Sequence, residues 1–393
     1  MFDFDKVIDR QGTDSIKYDF ARERGKPEGL LPLWVADMDF SAPPCVIEAL
    51  EQRSRHGIFG YSEAGDDYFE PLYRWLDQRL GWQVQEDWLI KTPGIVFAIS
   101  AAIRALTAKG DSVLIQQPVY YPFYDCVNSS GRRPVVNQLV YEQGTYRIDF
   151  EDFEQKIQEN NVKLFILCSP HNPVGRVWKR EELCMMGDIC LRHGVRVVAD
   201  EIHADFVYPG HKHHVFAGLK PEYGDMTLTC TAPSKTFNLA GLQISNVFAA
   251  NSEIRKALNK EIRNVGYSQV GSMGLAACRA AYAGGGPWLE QLLVYLSDNF
   301  AFLRTFLTRN IPELSLVETE GTYLGWIDCG ALSLDDRELD RFMLEEAGLW
   351  LDDGPMFGAG GSGFQRINVA CPRSVLAKAV GQLEQAVAKR RGQ

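Results

Sequence analysis

The chain has 393 residues, too many for one ordinary hydrophobic core, so two domains are expected. Hydrophobic residues make up 46% and charged residues 23%, with a net charge of −10, the balance of a soluble globular protein without the clustered basic excess of a nucleic-acid binder. The nine cysteines stand singly, with no C-x-x-C pair, which argues against a zinc site or disulfide framework and for free thiols in a reducing cytoplasm. No metal site and no membrane partner are expected. The first residues lack the apolar stretch of a secretory signal, and no apolar run approaches the length of a membrane span.

The first notable segment in chain order is Trp34-Val35-Ala36-Asp37-Met38-Asp39-Phe40. Phe59-Gly60-Tyr61-Ser62 reads by itself as a loop. Thr92-Pro93-Gly94-Ile95-Val96-Phe97 reads as a strand-to-helix turn. Gly94 lets a ligand approach the backbone, and Gly94, Ile95 and Val96 offer N–H groups at the positive end of a helix, a cradle for a phosphate.

From about residue 84 to 250, short apolar runs alternate with helical patterns. Val113–Ile115, Lys163–Cys168, Val195–Ala199 and Met226–Cys230 are not amphipathic, as expected of strands buried on both faces. Asp149–Glu159 and Lys179–His193 have helical spacing. The alternation implies an α/β fold, a mostly parallel sheet sandwiched by helices. In such sheets ligands bind beyond the carboxyl ends of the strands. Asn172, Asp200 and Lys235 all follow strand ends.

The pattern changes after Gly284-Gly285-Gly286-Pro287. Pro287 opens a helix whose apolar stripe runs to Asn310. A strand over 322–327, a helix over 339–346, a strand over 365–369 and a final helix from Ser374 towards Lys389 make a smaller α+β unit. The large domain is placed at 48–286. The small domain combines 1–47 with 287–393.

A lysine, an aspartate and an asparagine at neighbouring strand ends form the polar set that a pyridoxal phosphate (PLP) enzyme needs. Lys235 would bind the aldehyde, Asp200 would keep the pyridine nitrogen protonated, and Asn172 would donate to the ring oxygen. Alone, Lys235 has an ordinary reading as a surface lysine and Asp200 as a helix N-cap or turn residue. Their order and contexts favour the joint reading. Thr231 and Ser234 add hydroxyl donors for a phosphate. Arg366, in a strand otherwise short of charge, suits an amino-acid carboxylate because its planar fork pairs with both oxygens.

These motifs carry a resemblance. Asn172-Pro173-x-Gly175, Asp200-Glu201-Ile202-His203 and Ser234-Lys235-Thr236-Phe237-Asn238 are similar to the class I/II aminotransferase family of fold-type I PLP enzymes. Trp34–Phe40, the Asp-Glu-Ile-His segment and Phe364–Arg373 resemble its cystathionine β-lyase, or cysteine-S-conjugate β-lyase, branch. The resemblance implies that Tyr120 stacks on the pyridine ring, with Tyr121 as the competing assignment. It implies that His203 stands where aminotransferases often carry a tyrosine near the ring oxygen. It also implies that Tyr61 reaches the phosphate held by the partner subunit of a homodimer. Aminotransferases commonly place an arginine eight residues after the lysine; Gln243 is there instead, as in the lyase branch.

The reading is therefore a homodimeric PLP-dependent carbon–sulfur lyase acting on cystathionine or a related amino-acid thioether. An aminotransferase of class I/II is the alternative, and a regulatory protein that retains the fold is a third reading. Two motifs are set aside. Gly358–Gly363 spells G-x-G-x-x-G but precedes a strand instead of following one, so a mobile loop near Arg366 is expected. His211-Lys212-His213-His214 reads as a polar loop.

Overall fold

The computed structural model describes residues 2–391; Met1 and residues 392–393, assigned above to the small domain, lie outside the described residues. Among these residues the largest sheet has seven strands. In order across the sheet they are Leu89–Thr92, Ser245–Phe248, Thr227–Thr231, Arg196–Asp200, Val162–Cys168, Ser112–Gln117 and Arg133–Gln138. Ser245–Phe248 runs antiparallel to both neighbours, and the other pairings are parallel.

The strands lack polar alternation because both faces are covered. Leu164 and Ile166 join an apolar cluster on one face with the helix Ile95–Leu106. Phe165 and Leu167, pointing the other way, join a second cluster with the helices Phe150–Glu159 and Arg180–Arg192. Asp149 caps the first of these two helices, accepting from Asp152 N at 3.0 Å.

A second, antiparallel sheet has the order Ser315–Leu316, Leu324–Asp328, Phe364–Asn368, Asp352–Asp353. The helix Gly286–Asn310 packs Leu292, Leu296, Phe300 and Leu303 into the same apolar cluster as Leu324, Ile367 and the C-terminal helix Arg373–Arg391. The N-terminal segment joins this unit. Leu31–Pro32 pairs in parallel with Leu349–Trp350, and Phe4 packs against Phe40 and Trp288 with ring centroids 5.1 and 5.7 Å away.

Two local expectations are corrected. The helix expected over 339–346 begins earlier, at Asp336, because Asp335 and Glu338 form a reciprocal capping box, and it continues as a π-helical turn over Phe342–Glu346. The glycine-rich loop before Arg366 is closely packed. Val119 N donates to Phe357 O at 3.0 Å. A Cβ on Gly358, where φ is +112°, would come within 2.3 Å of Gln117. Its glycines therefore serve close backbone approach to the large sheet.

Candidate active site

A cavity of about 420 Å³ opens at the carboxyl ends of the parallel strands. Gly94, Ile95, Val96, Tyr120, Asn172, Asp200, His203, Ser234 and Lys235 all line it. Their elements converge because each follows a strand of the sheet: Leu89–Thr92 leads to Gly94, Ser112–Gln117 to Tyr120, Val162–Cys168 to Asn172 and Thr227–Thr231 to Lys235, while Asp200 ends its own strand. Tyr120 N donates to Asn172 O at 3.0 Å, joining two of these loops.

One end of the cavity suits an anion. The helix Ile95–Leu106 starts there with no side-chain cap, so its first N–H groups are available. A Cβ on Gly94 would meet no protein atom within 4 Å, which leaves room beside the helix start. Gln243 and Ser234 face the same space. Thr231 does not: its hydroxyl donates to Asn246 O at 3.0 Å inside the sheet, and it lies outside the lining.

The other end is built for charge. Burial pushes Asp200 up to about 7, despite Ile202 N donating to it at 3.2 Å and the nearby Lys235. A cationic ring N–H would offset that penalty. Burial and the Arg366 charge bring Lys235 down to about 8, against the opposing pull of Asp37 and Asp200. Its amine donates to Ala36 O at 2.5 Å, and Tyr323 OH donates to the same carbonyl at 2.9 Å. His203 is fully buried, and burial, then Lys235 and Arg366, hold its imidazole well below the usual range, so the ring is neutral. Its Nδ1 has no partner among the described residues.

Arg366 sits just behind this wall. Its Nη1 donates to Asn172 Oδ1 at 2.9 Å, its Nη2 donates to Trp34 O at 3.0 Å, and it forms a buried ion pair with Asp352. Its guanidinium carbon lies 4.9 Å from the Phe357 ring centre. The Nε–H is buried without a partner among the described residues. Because the Asn172 oxygen accepts from Arg366, the amide NH₂ remains free to donate into the cavity.

Tyr61 is placed elsewhere within the chain. It is 97% exposed and lines an adjoining cleft that shares Pro93 and Gln243 with the main cavity. Tyr120, and not Tyr121, borders the cavity; the Tyr121 phenol lies in the field of Asp352 and Arg366.

Sequence reasoning missed the fastening of Trp34–Phe40. Asn238, three residues after Lys235, donates to Met38 O at 3.0 Å and Phe40 O at 2.9 Å. Asn368, two residues after Arg366, donates to Val35 O at 2.6 Å and Asp37 O at 2.5 Å. Asp39 is anchored by the buried Lys17 at 2.8 Å, and Asp37 by Arg10 at 2.6 Å. Asparagines spaced shortly after both charged residues were the available signal. The histidine tract also proved less uniform than expected: His213 is buried and paired with Glu201 at 3.0 Å.

The cavity fits a flat, phosphorylated, cationic ring, with Asp200 for the ring nitrogen, Asn172 for a ring oxygen, the helix start for the phosphate and Lys235 for an aldehyde. This is the fold of the fold-type I PLP enzymes. The family model described as aminotransferase class I and II matches residues 28–383, and the chain belongs to that family. It is 41% identical to cystathionine beta-lyase PatB of Bacillus subtilis, over 98% of this chain and 99% of that protein. Among solved structures, cystalysin from Treponema denticola, which contains a pyridoxal 5'-phosphate cofactor, is 37% identical with a TM-score of 0.96, covering 99% of each chain. The PLP-bound C-S lyase from Staphylococcus hominis is 33% identical with a TM-score of 0.92, covering 98% of each chain.

The lowered Lys235 has a pH consequence. Only the neutral amine condenses with an aldehyde, so reconstitution of cofactor-free enzyme with PLP should speed up as pH rises through about 8 and level off above it. Stopped-flow absorbance against pH checks this. An inflection near the ordinary lysine value would contradict the burial described for Lys235.

Proposed function

We propose that this chain is a PLP-dependent carbon–sulfur lyase that cleaves L-cystathionine or a related cysteine thioether to a thiol, pyruvate and ammonia. The observation that carries the reading is the convergence of Lys235, Asp200 and Asn172 on one cavity, with Arg366 hydrogen-bonded to Asn172 behind its wall. The whole-length likeness to a cystathionine β-lyase and to C–S lyases supports the lyase chemistry. His203 and Gln243, lining the cavity where aminotransferases commonly have tyrosine and arginine, support it further.

Bound in the cavity, PLP would supply an electron sink for the bond pair freed when Cα loses its proton. Arg366 holds the substrate carboxylate and fixes which Cα bond faces Lys235. The Lys235 amine takes the Cα proton and remains close to Cβ as the thiolate departs. Asp200, as a carboxylate, keeps a positive charge at the ring nitrogen. Asn172 orients both Arg366 and the ring oxygen, which couples substrate position to cofactor position. Tyr120 covers the ring and excludes water. Pyruvate should form from a cysteine thioether with no keto acid added. Steady amino transfer that requires a keto acid, without pyruvate, would favour the aminotransferase reading.

The exposed Tyr61 suits a homodimer in which it donates to the phosphate in the partner's cavity. Mixing Lys235→Ala chains with Tyr61→Phe chains should restore activity above either parent, because one site of each heterodimer would have both residues intact. Equal or lower activity after mixing contradicts the shared site.

A further inference from the structure

The distal end of a thioether substrate needs a partner of its own, and the surroundings of Arg366 offer one. Trp34 touches two guanidinium groups. Its carbonyl accepts from Arg366 Nη2 at 3.0 Å, and its indole carries the Arg24 guanidinium carbon 5.1 Å from the ring centre. The indole is held in place by stacking on Trp350, with centroids 4.4 Å apart and planes 12° from parallel. Arg24 ends a 3-10 turn, Arg22–Arg24, that closes at Gly25 with φ +67°.

Among the described residues no carboxylate lies within ion-pair distance of Arg24, whereas the neighbouring Lys26 is committed to Asp340 at 3.3 Å. Tyr121 lies near both arginines. Its ring lies 5.5 Å from Tyr120, which borders the cavity, and 6.1 Å from Phe357, which underlies Arg366. Its phenol, raised by burial and Asp352, is lowered by both Arg366 and Arg24, so both cations act on the same oxygen.

From Arg366, Trp34 leads outward to the exposed Arg24. Stacking on an indole holds a guanidinium by its face and leaves its N–H edge free for a carboxylate. We propose that Arg24 is a specificity residue that binds the carboxylate at the far end of the leaving thiol, so that the preferred substrates are cysteine thioethers ending in an acid. The proposal rests on the lyase reading for the identity of the scissile bond, but the binding geometry does not.

The test uses PLP-loaded enzyme and ligands that cannot eliminate. L-2-aminosuberate, with methylene where a thioether has sulfur, and its terminal carboxamide differ only in the distal charge. Calorimetry should show the acid bound about fivefold more tightly than the amide by wild type, the factor expected of an exposed ion pair. Arg24→Ala should bring that ratio to about one by weakening the acid alone, Arg24→Glu should invert it, and Arg24→Lys should retain part of it. A ratio unchanged in Arg24→Ala, or no discrimination by wild type, overturns the proposal. Failure of wild type to release pyruvate from the matching thioethers would count against the lyase reading alone, because the binding ratio is read without turnover.

Discussion

Lys235→Ala should lower turnover by at least about 10³-fold, because one residue supplies both the aldehyde anchor and the proton acceptor. The fold should survive. The Lys235 side chain is partly buried, but among the described residues its amine makes only one hydrogen bond, to Ala36 O, and alanine removes a donor without stranding a buried charge. In wild type, borohydride should fix PLP to the peptide that carries Lys235, and mass spectrometry should find no such adduct in Lys235→Ala. An adduct on another lysine, or activity within tenfold of wild type, would remove Lys235 from its role.

Arg366→Ala should weaken substrate binding by about 2–4 kcal/mol, the range for losing one partner of a buried, hydrogen-bonded charge pair. At least about a 30-fold loss in kcat/KM should follow. Part of that loss is not substrate contact. Asp352 would be left buried without its cation, and Asn172 would lose the donor that fixes its amide. The double variant Arg366→Ala/Asp352→Asn separates the two contributions. It should recover stability in thermal unfolding yet remain defective in substrate binding. Full recovery of kcat/KM in the double variant would mean that Arg366 is only a structural partner of Asp352. PLP absorbance should persist in both variants, because none of the cavity residues that face the ring is altered.

The large sheet was legible because its strands are apolar on both faces. Lys163–Cys168 carries no polar alternation, and in the structure Leu164 and Phe165 do point into opposite apolar clusters. The site residues at the strand ends were legible for the same reason, since the sheet topology carries Asn172, Asp200 and Lys235 to one edge. Contacts between remote segments were not. Asp352 looks like any acid of the paired Asp352-Asp353, and only the antiparallel register that sets Asp352 opposite Arg366 reveals the ion pair. Thr231 was misjudged because strand periodicity does not say whether a terminal hydroxyl turns to the cavity or back to Asn246 O. The glycine-rich run before Arg366 suggested mobility, but Gly358 is needed for contact with Gln117. Composition cannot separate glycine used for freedom from glycine used for close packing. The small strand Ser245–Phe248, antiparallel to both of its neighbours, was not anticipated beside Gln243, which lines the cavity.

The most direct measurement is the stoichiometry of products when PLP-loaded enzyme meets a cysteine thioether and no keto acid. Thiol and pyruvate should appear in equal amounts, far in excess of the enzyme subunits, with the cofactor absorbance unchanged at the end. A reaction that stops after about one equivalent per subunit, releases no thiol, loses the absorbance of the aldehyde form and resumes only when a keto acid is added would contradict the lyase account.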